Sequence, residues 1–178
     1  MRLDVRRFRV FLAFAFGAAV LAGPAAGVKA QATRQVVLDA RMLQQLNALR
    51  TEHGLRPLRP SQRLDQAADS HSIEMAKDGY FAHESANGSA FWKRLKRFYP
   101  SAGYRSWAGG ENLLWQSPDL DAAQAIRLWM ASPAHRENLL GRNWRDMGVA
   151  AVRVESGSGP FRARTVVLVT LDFGARTR

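Results

Sequence analysis

From Val36 to His53 the apolar residues Leu38, Met42, Leu46 and Leu49 recur at steps of three and four, which is one face of a 3.6-residue period and predicts a helix. Gly54 follows in the position favoured for a left-handed C-terminal cap, and Pro57 prevents the helix from resuming. Pro60-Ser61 opens a second helix with Ser61 as N-cap, and Leu64, Ala67, Ala68, His71 and Met75 line its inner face up to Gly79. A third helix is predicted over Ala90–Phe98, with Phe91, Leu95 and Phe98 inward, Lys93, Arg94, Lys96 and Arg97 outward, and Pro100 as its stop. Ser117-Pro118-Asp119 starts a fourth, burying Ala122, Ala125, Ile126, Trp129 and Met130, and Pro133 begins a short turn through Leu139.

The end of the chain changes period. Met147–Val154 and Thr165–Phe173 read as strands joined through Ser156-Gly157-Ser158-Gly159-Pro160, an antiparallel hairpin. Thr165–Leu171 is apolar enough to be covered on both faces. A short strand is predicted at Glu111–Trp115 behind a Gly- and aromatic-rich loop, Tyr104–Gly110. Thr33–Gln35 reads as a loose lead-in, Tyr80–His83 as an extended turn and Glu84–Gly88 as a polar loop. Helices first, a strand amid helices, then a hairpin gives an α+β fold rather than a repeating βαβ sheet.

The segment 1–32 stands apart. Arginines at 2, 6, 7 and 9 precede an apolar run from Val10 to Leu21, then Gly23-Pro24 and the small-x-small Ala30-Gln31-Ala32, the layout of a cleaved secretory signal peptide. The expected mature chain is residues 33–178, long enough for one domain with a sizeable core. It is expected to be secreted or periplasmic, monomeric and without an integral membrane span.

Composition narrows the function. The full chain carries a formal net charge of +11, and segment 1–32 holds five basic groups and one acidic one, so +7 remains on 33–178. That charge is scattered and comes with no nucleic-acid motif, so nucleic acid is not an expected partner. It suits attraction to an anionic envelope surface, with the basic face of the third helix a candidate contact for anionic lipid or wall polymer. There are no cysteines, which excludes disulfides, thiol nucleophiles and thiolate metal sites.

All four histidines lie beyond the leader. His53, in the last turn of the first helix, reads as structural, and His71, on the apolar face of the second, as a hydrogen-bonded core group. His83 and His135 sit beside small or turn-forming residues at element boundaries, and Glu111 follows two glycines that let other atoms approach closely. Two imidazoles and a carboxylate can bind a divalent ion with open water positions, or supply a general acid and base.

These segments resemble the CAP superfamily of cysteine-rich secretory, antigen 5 and pathogenesis-related 1 proteins, in its bacterial single-domain branch. The resemblance rests on Leu46-Asn47-Ala48-Leu49-Arg50, His71-Ser72-Ile73-Glu74-Met75-Ala76, Tyr80-Phe81-Ala82-His83, Gly110-Glu111-Asn112-Leu113, Trp129-Met130-Ala131-Ser132-Pro133-Ala134-His135-Arg136 and Met147-Gly148-Val149, in the family's order. It implies a three-layer α-β-α sandwich with a central, mainly antiparallel sheet, and a cleft of His83, Glu111, Ser132 and His135. Ser132 stands where many eukaryotic relatives carry a second glutamate. The expected metal ligands are His83 and His135, for zinc or another divalent cation. Three functions follow from this resemblance: a module binding a small ligand, lipid or envelope polymer; a hydrolase (peptidase or cell-wall-active) with Glu111, His135 and His83 as catalytic candidates; or a polar network that only stiffens the fold.

Overall fold

The computed structural model describes residues 32–178, so the predicted leader, apart from Ala32, lies outside the described residues. In chain order the elements are β1 (Ala32–Arg34), α1 (Val36–Glu52), β2 (Arg59–Pro60), α2 (Gln62–Asp78), α3 (Phe91–Phe98), β3 (Ser106–Gln116), α4 (Ala122–Ala131), α5 (Pro133–Leu139), β4 (Asp146–Gly157) and β5 (Arg164–Thr177). The sheet runs β1-β4-β5-β3, with every pair along that path antiparallel, and β2 adds a short parallel pairing to β4.

Three layers follow from how the apolar residues divide. On one face of the sheet, α1, α4 and α5 enclose Met42, Leu46, Ala125, Trp129 and Leu139 against Val149, Val167, Val169, Leu171 and Phe173. On the other face, α2 lies along β4 and β5, and α3 packs on α2 and β3. Met75 and Ala76 meet Val152, Val154, Val166 and Leu168 there, with Leu64, Leu95 and Tyr99 forming an adjoining cluster. Both faces of β4 and β5 are therefore covered, as their apolar runs predict. Each fully buried Leu or Val contributes about 1.5–3 kcal/mol relative to exposure.

The contact between α2 and the sheet depends on Gly148. A methyl group there would stand 2.1 Å from the Leu64 carbonyl carbon and 2.2 Å from the Asp65 nitrogen, so only glycine lets the start of α2 lie directly on β4. Asp65 then accepts from the Val149 N–H at 2.9 Å. Ser61 caps α2 by accepting from the Leu64 N–H, and Gly79 ends it in the left-handed region at φ 68°.

Four sequence expectations change. Thr33 and Arg34 belong to β1, where Arg34 ties Asp39, Asp69 and the Val149 carbonyl together. The loop expected over Tyr104–Gly110 is strand from Ser106, paired to β5 through Thr177. α4 starts at Ala122 under the Asp121 cap, later than Ser117-Pro118-Asp119 suggested. Arg94, expected outside α3, is buried.

Candidate functional site

β3 is an edge strand, and elements from both helical layers meet along it. Glu111 lies on the α2/α3 face of the sheet and is only 4% exposed. Its Oε1 accepts from His83 Nδ1 at 2.7 Å, and its Oε2 accepts from Arg94 of α3. Arg94 also donates to Ser85 Oγ at 2.9 Å and to the His83 carbonyl at 3.3 Å, so one guanidinium fixes the acid and the loop carrying its histidine. Burial alone would push the Glu111 carboxyl up. The His83 hydrogen bond and the charge of Arg94 overcome that and hold it below the ordinary range. An ionised carboxylate only accepts, so His83 Nδ1 is the donor, leaving Nε2 for the opposite side of a ring that is 40% exposed.

The loop before His83 is held from α2. His71 Nε2 donates to the Ala82 carbonyl at 2.9 Å, and Tyr80 donates through its hydroxyl to Glu74 at 2.6 Å. His71 is fully buried, as its place on the apolar face suggested, and burial lowers its pKa.

His135 comes from the other layer. Asn112, next to Glu111 on β3, donates to the His135 carbonyl at 3.0 Å. Asn138 of α5 donates to the Glu111 carbonyl at 3.2 Å and to Asn112 Oδ1 at 2.9 Å. Both asparagines thus secure backbone. Arg50 of α1, fully buried, donates to the carbonyls of Leu139 at 2.7 Å and Gly141 at 3.1 Å, closing the C-terminal end of α5. The His135 ring is half-buried. Burial and then the charge of His83 lower its pKa, so the two imidazoles lie within electrostatic reach. Ser132 joins α4 to α5 in extended conformation and caps neither helix with its side chain. Glu137 is exposed and takes no part.

One acid went unread in the sequence. Asp172 of β5 stands directly opposite Glu111 in the strand register, is fully buried, and finds no donor for either oxygen. Burial, then the negative charge of Glu111, raises its pKa well above the ordinary carboxylate value. A protonated Asp172 can donate to Glu111, which two carboxylates facing each other cannot do. The Gly109-Gly110 pair makes room for protein rather than ligand: side chains there would collide with Trp107, Leu95 and Trp144.

Residues 43–173 match the family model "CAP: Cysteine-rich secretory protein family". The chain belongs to the CAP family. Among relatives of this CAP domain, YkwD of Bacillus subtilis is 30% identical over 122 residues and YlbC, a membrane protein of the same organism, 28% over 119. Each match covers 67% of this chain but only 44% and 33% of those proteins, so the chain spans less than half of either. An extracellular SCP-domain protein of Bacillus anthracis superposes with a TM-score of 0.61 at 26% identity, over 79% of this chain and 41% of that one. An outer surface protein of Borrelia burgdorferi superposes at 0.63 over 83% of this chain and 100% of that one, and at 17% identity it shares the fold alone.

In this chain His83 and Glu111 are in contact, His135 feels the charge of His83, and Ser132 stands at the start of the helix carrying His135. Arg94 and Asp172 complete the polar centre. Arg94 was legible in principle, because it lies three residues after Phe91 and one before Leu95, on the inward face. Among the described residues no three His, Asp or Glu side chains are gathered to hold a metal, and both oxygens of Glu111 are engaged, by His83 and Arg94.

Proposed function

We propose that this CAP domain is an exported binding module of the cell envelope or extracellular space, its ligand or divalent ion taken in the cleft between His83 and His135. Export rests on the basic, apolar and small-residue order of segment 1–32, together with the extracellular SCP-domain relative. Among the described residues no helix is long and apolar enough to cross a membrane. The observation that carries the binding reading is the occupation of Glu111. With one oxygen held by His83 and the other by Arg94, it serves to orient an imidazole and is a poor general base for water. Depressed basicity from burial keeps His135 neutral near pH 7, so its lone pair is available without loss of a proton.

His83 Nε2 and His135 would hold a zinc-like ion, which would supply Lewis acidity to a bound ligand. The protein's own part is positional: Glu111 fixes the His83 ring, Asn112 fixes the backbone of His135, and Ser132 offers a hydroxyl at the cleft rim. Calorimetric titration with zinc tests the reading. A saturable heat with one ion per chain is expected, lost in both His83→Ala and His135→Ala. Absence of heat in the unaltered chain removes the metal version. Turnover of peptide or peptidoglycan substrates that disappears in Glu111→Gln would replace the binding reading with hydrolysis.

A further inference from the structure

A polar recess lies beside Arg94. It has a volume of about 260 Å³ and is bounded by α2, α3 and the 85–89 loop. Three cations line it, Lys93, Arg94 and Arg97, together with hydroxyl and amide groups of Ser85, Ser89 and Asn87. The acid in its wall, Glu74, already accepts from Tyr80 and stands 3.4 Å from His71 Nδ1. Among the described residues neither Lys93 nor Arg97 makes an ion pair. They lie over the rings of Trp92 and Phe98 instead. Arg94 is 7% exposed, and its Nε–H is buried with no acceptor.

We propose that this recess binds a phosphoryl group, with Arg94 at its base and Lys93 and Arg97 at its mouth. Arg94 is already balanced by Glu111, so the charge left for a ligand is that of Lys93 and Arg97 against Glu74, and an arginine fork with hydroxyl and amide donors matches tetrahedral phosphoryl oxygens. The site is separate from the His83–His135 cleft but shares a residue with it. Arg94 donates through Nη2 to Glu111 and also lines the recess, so occupancy of the recess acts on the guanidinium that holds Glu111.

The test is titration of the chain with inorganic phosphate at fixed ionic strength, following heat and the ring resonances of His83. Saturable binding that shifts His83 is expected, with affinity at least tenfold weaker in K93A/R97A. Both residues are exposed, so that variant keeps the fold. Binding unchanged in the variant, no binding at all, or binding that leaves His83 unmoved overturns the proposal, the last because it would mean surface attraction without Arg94. Vesicles containing phosphatidic acid distinguish the source. Capture that phosphate competes away identifies a lipid headgroup, and no capture identifies a soluble phosphorylated ligand.

Discussion

Among the described residues Arg94 and Glu111 are each other's full counter-charge in a buried setting, and that sets the consequence of losing either. Glu111→Gln strands a guanidinium in the core. The expected cost is about 3–5 kcal/mol, read as a lowered thermal midpoint. The double variant Glu111→Gln with Arg94→Met removes the stranded charge and should recover much of that loss. Additive losses would show that the two do not act as a pair. Acid dependence follows from the same pair. The Glu111 pKa is lowered from 4.5, so its contribution is complete above that value and is lost as pH falls through the folded pKa. Asp172 has the opposite sign: raised from 3.8, it favours the fold below that value and loses this contribution as pH rises through its folded pKa. Asp172→Asn keeps a donor towards Glu111 and cannot ionise. Chemical denaturation should find it more stable than the parent by about 1–3 kcal/mol above the folded pKa of Asp172, with the gain shrinking in acid. At this scale His83 and His135 stood out in the sequence as histidines beside small residues and Glu111 as an acid after two glycines, and the family resemblance rather than their spacing joined them. Arg94 and Asp172 were not read there. The one looked like its three basic neighbours, and the other sat inside an apolar strand whose partner across the sheet, β3, lies far back along the chain.

Helix α5 has only seven residues, too few to hold its shape in water without support. Its support is Arg50, whose guanidinium reaches the Arg56, Leu139 and Gly141 carbonyls and brings positive charge to the helix C-terminus. Arg50→Ala should cost about 3–5 kcal/mol and broaden the His135 resonance while leaving that of His83 sharp. Arg50→Lys should rescue little, since an ammonium cannot span three carbonyls as the fork does. Helix elements were readable from period and caps: Ser61, Gly79 and Pro133 stand where the sequence placed them. Strand β3 was read at half its length because Ser106–Gly110 lacks the alternation of a half-buried strand, and β1 was missed because three residues hold no period. Both are made by pairing with distant strands, which local pattern does not encode.

At the scale of the whole molecule, the sheet separates two helical layers, and the candidate cleft is where they meet around its edge. The two imidazoles come from different layers, so their separation depends on the packing of α2 and α3 on one side and of α4 and α5 on the other. The His135 pKa is lowered from 6.5, so neutral His135 supports the fold above that value, and the contribution is lost as pH falls below it towards the folded pKa. Zinc affinity should fall over the same acid range as the imidazoles take up protons, which titrations at pH 7.5 and 5.5 would measure.

The outer margin of β3 has a consequence beyond ligand chemistry. The carbonyls of Glu111 and Leu113 point away from the sheet, and each is taken by a side chain, Asn138 Nδ2 and Trp129 Nε1 respectively. A bare strand margin invites the same strand of another molecule to add to it. Here the groups that hold α4 and α5 in place also deny that margin to a stranger, so the chain guards against fibril-like stacking with the parts that shape its binding cleft. Asn138→Leu reopens the Glu111 carbonyl, and sedimentation should then show concentration-dependent self-association that the parent chain lacks.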